Sequence, residues 1–345
     1  MIPWLIAFAS IAADVPPPSA GGPAVVVTQA DESAFPEIRV YYEMRRPDGT
    51  FVRDARREDF RVTEDGRDRP IVGFEAPITV QARATTVVLV VDRSGSMRQG
   101  GKMDGMKRAV GTFLDGLPGG SRVALIAFGS GVDLACPFTT DMARVRDAVS
   151  AIEPEGATRY YDAVAAAIGL LEGETGRRAI LALTDGQDTA SRLPIEAPIA
   201  EARRRSVPVH TLGLGEPGEI DDEALDRIAT ETRGRSYRAR DAEGLKAIYQ
   251  ELAERIGSSY SLSYQTDRKI PDGTFRPIRV YYAFAEGEEA GEAGVFIRGM
   301  VVPAPGWPGL FLVLVAGLTT LAVLPGMLAA RGRAVPAPPG RDASI

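Results

Sequence analysis

The chain has 345 residues, of which 45% are hydrophobic and 25% are charged, and its formal net charge is −6. This length and composition suffice for one sizeable core and a second, smaller domain, and the acidic balance argues against nucleic-acid binding. Cys136 and His210 are the only cysteine and the only histidine. An intrachain disulfide is therefore excluded, and the chain has almost no material for zinc sites or for Ser-His-Asp and Cys-His catalysis. We expect both residues to be structural.

The first segments of the chain resemble a secretion signal followed by a linker. Residues 1–13 are apolar and end in the small residues Ala12 and Ala13, although no Lys or Arg precedes them. An apolar run that ends in small residues is typical of a cleavable signal peptide. Residues 14–23 are rich in Pro and Gly and predict a linker. The sequence therefore predicts a signal peptide at residues 1–13, with a cleavage site near Ala12 or Ala13, and leaves open whether it is cut.

Residues 24–80 and 259–303 share a pattern of short alternating strands and turn signals. The turn signals are Pro47-Asp48-Gly49, Glu64-Asp65-Gly66 and Pro271-Asp272-Gly273. Such patterns are typical of antiparallel strands joined by hairpins. The two flanks also echo each other, since FPEIRVYY at 35–42 matches FRPIRVYY at 275–282. We therefore predict that both flanks pack as one small antiparallel β-sandwich, into which the intervening residues are inserted.

Residues 84–258 alternate strand-like and helix-like runs. Strands are predicted at Thr86–Val91, Arg122–Phe128, Ala179–Leu183, Val207–Leu214 and Arg235–Arg240, with Val132–Phe138 as a short edge strand. Helices are predicted at Lys102–Leu117, Asp141–Ile152, Tyr160–Glu172, Pro194–Arg205, Asp221–Thr232 and Ala242–Ile256. Asp141, Asp221 and Asp241 precede helical patterns as N-caps. This alternation predicts an α/β fold with a doubly wound, mostly parallel sheet.

Oxygen-bearing side chains follow two of the predicted strands. Asp92, Ser94 and Ser96 come directly after the first strand, Thr158 lies in a loop before a helix, and Asp185 follows the strand at residues 179–183. In open α/β sheets, ligands bind outside the carboxyl ends of the strands. Carboxylate and hydroxyl oxygens suit a hard divalent cation such as Mg²⁺. Each motif alone is also compatible with ordinary helix caps and turns, but three ordered loops favour a metal site.

The set of residues resembles the metal-ion-dependent adhesion site (MIDAS) of von Willebrand factor A (VWA) domains, which have a Rossmann-like α/β fold. The family pattern D-x-S-x-S, a loop threonine and an aspartate in T-D-G correspond here to Asp92, Ser94, Ser96, Thr158 and Asp185. The resemblance covers residues 84–258. In addition, DFRVTEDG at 59–66 resembles the stretch that precedes the VWA domain in a group of bacterial VWA-related proteins, which supports the inserted architecture.

This resemblance implies a metal-dependent binding site. The five residues would bind one Mg²⁺, with Mn²⁺ or Ca²⁺ as alternatives, the hydroxyls directly and the aspartates largely through water. One coordination position would remain for a carboxylate of another molecule. The implied partner is therefore a protein that presents an acidic side chain, as in cell adhesion.

The C-terminal end predicts a membrane anchor. Leu310–Ala330 is apolar and uncharged and has about the length of a spanning helix. Trp307 lies at its start, and Arg331 and Arg333 follow it. We place the transmembrane helix at residues 308–330, and the positive-inside rule puts the short tail, residues 331–345, in the cytoplasm. The protein is expected to be a single-pass inner-membrane protein whose bulk is periplasmic or extracellular.

Three function classes remain open from the sequence. The favoured one is a non-enzymatic, membrane-anchored protein that binds an acidic partner through its metal. The second is an assembly or scaffold protein in which the metal only holds loops together. The third is a metal-dependent hydrolase, which needs a group to activate water. Asp188 and Glu155 are the side chains near the motif that could do so, and both are more simply explained as solvated loop residues.

Overall fold

The computed structural model describes residues 23–77, 84–216, 218–284, 287–297 and 299. The predicted signal peptide, the linker except for Pro23, the transmembrane helix and the cytoplasmic tail all lie outside these residues. Within the described ranges, no helix is both long enough and apolar enough to cross a membrane.

The centre of the fold is a six-stranded sheet. Its strands are β6 (Thr86–Asp92), β7 (Arg122–Phe128), β8 (Val132–Thr139), β9 (Arg178–Thr184), β10 (Val209–Leu214) and β11 (Ser236–Ala239). Their order across the sheet is β11-β10-β9-β6-β7-β8. All neighbouring pairs are parallel except β7 and β8. The mostly parallel α/β fold is therefore confirmed, and the predicted edge strand is β8.

Six α-helices of the described part of the chain cover the two faces of this sheet. They are α1 (Lys102–Gly116), α2 (Met142–Ser150), α3 (Tyr160–Leu170), α4 (Glu196–Arg204), α5 (Asp222–Glu231) and α6 (Ala242–Gly257). Side chains of α1, α2 and α6 share one core with Val87, Leu89 and Val91 of β6. Side chains of α3, α4 and α5 share the other core with Val88 and Val90. Alternate residues of one buried strand thus face opposite helical layers, which explains its continuous apolar sequence.

The predicted N-caps begin three of these helices. The carboxylate of Asp141 accepts hydrogen bonds from the backbone at the start of α2, Asp221 does so for α5 and Asp241 for α6. Each carboxylate satisfies backbone N–H groups that have no partner inside the helix.

The flanks form two further four-stranded sheets, with the orders β1-β2-β12-β5 and β14-β13-β3-β4. Their strands are β1 (Ala24–Asp31), β2 (Glu37–Arg45), β3 (Phe60–Glu64), β4 (Arg67–Arg69), β5 (Ile71–Glu75), β12 (Tyr260–Gln265), β13 (Phe275–Phe284) and β14 (Gly287–Phe296). Every paired strand is antiparallel. Each sheet contains strands from both flanks, and one apolar core joins side chains of both sheets.

The two echoed sequences occupy matching positions in the two sheets. They fall mainly on β2 and β13, each of which is the second strand of its sheet. Tyr42 of β2 stacks on Tyr260 with ring centroids 5.4 Å apart, and Tyr282 of β13 lies 5.3 Å from Phe60. Since Tyr42 and Phe60 are themselves 5.2 Å apart, the echoed tyrosines converge on one aromatic cluster in the shared core.

One of the three turn signals does not form the expected hairpin. Glu64-Asp65-Gly66 joins the paired strands β3 and β4, with positive φ at Asp65 and Gly66. Residues 271–273, in contrast, connect β12 to β13, which belong to different sheets. A turn signal marks a change of chain direction but carries no information about the sheet in which the next strand pairs.

Candidate metal centre

The predicted site residues lie at the carboxyl edge of the central sheet. Asp92 is the last residue of β6, and Asp185 follows Thr184, the last residue of the neighbouring β9. Asp92, Ser94, Thr158 and Asp185 are all buried. Ligand crevices of open α/β sheets occur at this edge, so the topology alone brings the two aspartates close together.

A continuous chain of hydrogen bonds connects four of the five predicted residues. The backbone N–H of Ser94 donates to Oδ1 of Asp92 at 2.6 Å. The hydroxyls of Ser94 and Ser96 are 3.0 Å apart, and the Ser96 hydroxyl donates to Oδ1 of Asp185 at 2.6 Å. Two carboxylates and two hydroxyls therefore form one hydrogen-bonded cluster, in which Ser96 is the half-buried member.

Thr158 belongs to a loop that is fixed against the first motif. The backbone N–H of Gly95 donates to the Gly156 carbonyl at 3.0 Å. Gly156 has φ +79, and a Cβ there would lie 2.2 Å from the Ser130 hydroxyl, so only glycine suits this contact. No hydrogen bond joins the Thr158 side chain to the other four predicted residues, whereas its backbone N–H donates to the Thr189 hydroxyl at 3.1 Å.

Thr184, Lys102 and Glu219 add contacts around the two aspartates that were not predicted. The Thr184 hydroxyl donates to Oδ2 of Asp92 at 2.6 Å. The Lys102 ammonium lies 3.1 Å from Oδ2 of Asp185 and 3.4 Å from the Glu219 carboxylate. Thr184 could have been found, because it directly precedes Asp185 in the T-D-G motif. Lys102 and Glu219 had no local signal that distinguishes them from ordinary helix and loop residues.

Burial perturbs the ionisation of the site. It raises the pKa of Asp92 to about 6, although hydrogen bonds from Thr184 and Ser94 act in the opposite direction. Burial disfavours the charged form of Lys102, but the hydrogen bond and charge of Asp185 outweigh it and raise the Lys102 pKa. A buried carboxylate that is costly to ionise is stabilised by a nearby cation, so the electrostatics favour a positive ligand here.

The donor chemistry fits a hard divalent cation. All the candidate ligands are carboxylate or hydroxyl oxygens, which Mg²⁺ and Ca²⁺ prefer and which soft metals do not. Among the described residues, no group of three or more His, Cys, Asp and Glu side chains could hold a metal. A cation at this edge would therefore depend on the hydroxyls of Ser94, Ser96 and Thr158 in addition to two aspartates.

The two side chains considered as hydrolytic bases both have structural partners. Asp188 accepts hydrogen bonds from the backbone N–H of Tyr161 at 3.0 Å and of Ser191 at 3.0 Å. It therefore fixes the start of α3 while it remains a half-buried loop residue. Glu155 is exposed and forms a salt bridge with Arg93 at 3.2 Å.

The chain's histidine and cysteine both lie in strands of the central sheet. His210 lies in β10, where its Nδ1 accepts the Arg235 backbone N–H at 3.2 Å. Burial and three neighbouring arginines lower its pKa to about 3. Cys136 is a buried free thiol in β8. Both residues therefore lie within the packed strands of the sheet, as a structural role requires.

Comparison with known proteins identifies the central domain. The family model of the von Willebrand factor type A domain matches residues 87–187, which run from β6 to just beyond β9. The central domain is a VWA domain. Its match begins five residues before Asp92 and ends two residues after Asp185, so it includes all five predicted ligands.

The relatives of this chain are distant. Inter-alpha-trypsin inhibitor heavy chain H2 from Sus scrofa is 26% identical over 64% of this chain and 25% of its own length. A UPF0353 protein from Mycobacterium bovis is 25% identical over 52% of this chain and 63% of its own. The chain thus spans a quarter of the first relative and less than two thirds of the second.

Two solved structures illustrate the similarity in fold. A von Willebrand factor type A protein from Catenulispora acidiphila is 14% identical, with a TM-score of 0.49 over 84% of this chain and 75% of that chain. Proximal thread matrix protein 1 from the mussel byssus, solved with a zinc-occupied MIDAS motif, is 16% identical. Its TM-score is 0.45 over 54% of this chain and 49% of that chain.

Proposed function

We propose that this protein is a membrane-anchored binding protein whose VWA domain captures an acidic side chain of a protein partner through a divalent metal. The observation that carries the proposal is the hydrogen-bonded chain from Asp92 through Ser94 and Ser96 to Asp185 at the carboxyl edge of the sheet. It places oxygen donors from two neighbouring strands within one hydrogen-bonded cluster, as a cation site requires.

The residues that would hold the metal are Asp92, Ser94, Ser96, Thr158 and Asp185. When bound, Mg²⁺, or Mn²⁺ or Ca²⁺ in its place, supplies a positive centre that attracts a carboxylate. Because the direct ligands would be mostly neutral hydroxyls, with the aspartates acting largely through water, the metal would keep enough positive charge to attract an anionic partner group. The protein's own part is to position the donors and to keep bulk water away from Asp92.

Metal binding is tested by calorimetric titration of the full chain with Mg²⁺ and Mn²⁺. Asp92→Ala should abolish binding, because it removes a charged ligand and leaves mostly neutral oxygens. Asp115→Ala is the matched control, since Asp115 lies on α1 with its side chain 75% exposed and paired with Arg146. An unchanged metal affinity in Asp92→Ala would refute the assignment of the site.

Partner capture is tested with peptides that carry a single Asp or Glu and with their Asn or Gln counterparts. Acidic peptides should bind in Mg²⁺, lose binding in EDTA and fail to bind the Asp92→Ala variant. If the metal binds but no peptide responds to it, the scaffold alternative, in which the metal only holds loops together, replaces the proposal. The hydrolase alternative has less support, because Asp188 and Glu155 are both engaged in other contacts.

The membrane anchor is the part of the proposal that rests on sequence alone. The apolar run within residues 308–330 and the arginines after it place the folded part outside the cytoplasm. A reporter that is active only outside the cytoplasm, fused after Pro303, should be active. Activity of a cytoplasmic reporter alone at the same junction would invert the topology and remove the adhesion role.

A further inference from the structure

A lysine side chain reaches the proposed metal site from the start of α1. Gly100 and Gly101 both have positive φ, and this turn brings Lys102, the first residue of the helix, over the end of β9. The Lys102 ammonium lies 3.1 Å from Oδ2 of Asp185, while Oδ1 of the same carboxylate accepts the Ser96 hydroxyl. Both oxygens of Asp185 are therefore engaged, one of them by a positive charge.

A second carboxylate stands beside the same ammonium. Glu219 lies 3.4 Å from Lys102 Nζ and is about half exposed. Its carboxylate also accepts the Glu216 backbone N–H at 3.1 Å, which holds the side chain within its own turn. At Gly215, a Cβ would lie 2.6 Å from this carboxylate, so the glycine leaves room for it. Lys102 thus has a buried partner in the site and a more exposed partner outside it.

We propose that Lys102 is a built-in monovalent cation that competes with the divalent metal for Asp185, and that Glu219 is the partner that retains the ammonium when the metal binds. This inference rests on the proposed metal site and concerns its regulation. Lys102 would lower the affinity of the site, so that the metal is taken up only above a threshold concentration.

The physical basis is the competition of two cations for one buried carboxylate. Like charges a few ångströms apart repel strongly where solvent is largely excluded, and the Lys102 side chain is only 19% exposed. Metal binding must therefore either displace the ammonium towards Glu219 or tolerate its charge. Each of these lowers the metal affinity relative to a site without the lysine.

A purely structural role for Lys102 predicts the opposite sign. If the lysine only ties α1 to the loop after β9, its removal should loosen the ligands and weaken metal binding. If it competes with the metal, its removal should strengthen metal binding. Glu219 adds a second criterion. If Lys102 competes with the metal, loss of the Glu219 charge should lower the metal affinity only while Lys102 is present.

The test is calorimetric titration of the full chain with Mn²⁺ at low ionic strength. Lys102→Met should bind Mn²⁺ about tenfold more tightly than the wild type. Glu219→Gln should bind it several-fold more weakly, and this loss should disappear in the Lys102→Met, Glu219→Gln double variant. Lys107→Met is the matched control, because Lys107 lies on the same helix and its ammonium donates to the Ser150 carbonyl at 2.8 Å.

The outcomes separate this inference from the proposed function. If the wild type binds Mn²⁺ and Lys102→Met binds it equally or more weakly, the inference about Lys102 is overturned while the metal site stands. The absence of Mn²⁺ binding in the wild type and in every variant overturns the metal site and the inference together. Should Lys102→Met fail to fold, Glu219→Gln decides the question, because a substitution in an exposed turn leaves the fold intact and unchanged affinity would refute the exchange.

Discussion

At the scale of single residues, His210 is the clearest pH-dependent group in the VWA domain. Its folded-state pKa of about 3 lies below the value of about 6.5 that an unfolded chain gives it. The folded state therefore binds fewer protons between these values. The stability contributed by neutral His210 is complete above about pH 6.5 and is lost as the pH falls towards 3.

Replacing His210 should accordingly make the free energy of unfolding depend less on pH in the acid range. At pH 5, protonation of His210 in the unfolded state costs the wild type about 2 kcal/mol of unfolding free energy. His210→Asn keeps an acceptor for the Arg235 N–H, so the difference in stability between wild type and variant should shrink by about this amount between pH 7 and 5. Urea unfolding at both pH values measures it, and a difference that does not change with pH would contradict the assignment.

The residues of the metal site show which side-chain contacts a sequence can predict. Asp92, Ser94 and Ser96 form a local motif, and their proximity follows from one strand end. Asp185 follows from topology, since it comes directly after β9, the strand beside β6. The Lys102 contacts with Asp185 and Glu219 span 83 and 117 residues. These contacts depend on how the turns before Lys102 and at Glu219 orient the two side chains, and no local sequence pattern predicts that orientation.

At the scale of secondary-structure elements, α1 and α6 pack closely because glycines lie in α1. A Cβ at Gly105 would lie 2.7 Å from the Cβ of Ala242, and one at Gly116 would lie 2.7 Å from that of Ala253. A methyl group at either position would push the helices apart. Gly111 lies on the same helix, with no atom within 4 Å of a Cβ there.

Two glycine-to-alanine variants should therefore have opposite effects. Gly111→Ala should stabilise the protein by up to about 1 kcal/mol through helix propensity. Gly105→Ala receives the same benefit but overpacks the contact with Ala242, which costs about 1–3 kcal/mol. Urea unfolding should rank Gly111→Ala above wild type and Gly105→Ala below it. Equal gains in both variants would show that α6 can move away without cost.

The central elements were easier to predict than the flanking ones. The strands of the parallel sheet are buried on both faces and have continuous apolar sequences, so β6 and β9 were found almost to the residue. The helix predicted from Pro194 begins at Glu196, because the preceding residues form a tighter turn closed by the Ala197 N–H and the Pro194 carbonyl. The order of the flanking strands could not be predicted from the sequence, because β2 and β12 pair across more than 200 residues.

At the scale of the whole molecule, a buried charge cluster joins the sandwich to the VWA domain. Glu43 of β2 is fully buried and contacts the Arg255 guanidinium of α6. Arg45 and Arg235 lie 3.9 and 3.7 Å from the same carboxylate. Burial lowers the pKa of Arg177 nearby to about 10, while Glu43 opposes this shift. One carboxylate thus offsets the charge of several arginines at the junction.

Glu43→Gln should destabilise the whole molecule by about 3 kcal/mol or more, because it leaves buried guanidinium groups without a counter-charge. The control is Glu251→Gln, which removes a 41% exposed partner of Arg45 and Arg255 and should cost less than about 1 kcal/mol. Urea unfolding gives both values. Hydrogen exchange should show earlier opening of β2 and α6 in Glu43→Gln. Similar effects of the two variants would show that Glu43 does not couple the flanking sheets to the VWA domain.

The pairing of β12 has a mechanical consequence. The chain leaves the sandwich through β5 and returns to it through β12, and Ser261 of β12 faces Glu75 of β5, so both connections emerge at one end of the same strand pair. A pull on the VWA domain therefore draws β12 lengthwise against β2, to which six residues are paired from Tyr260 to Gln265. Because antiparallel hydrogen bonds run across the strands, all of them would bear such a load together. The paired strands β2 and β12 would therefore be loaded in shear. If they were instead pulled apart from one end, their hydrogen bonds would break one at a time.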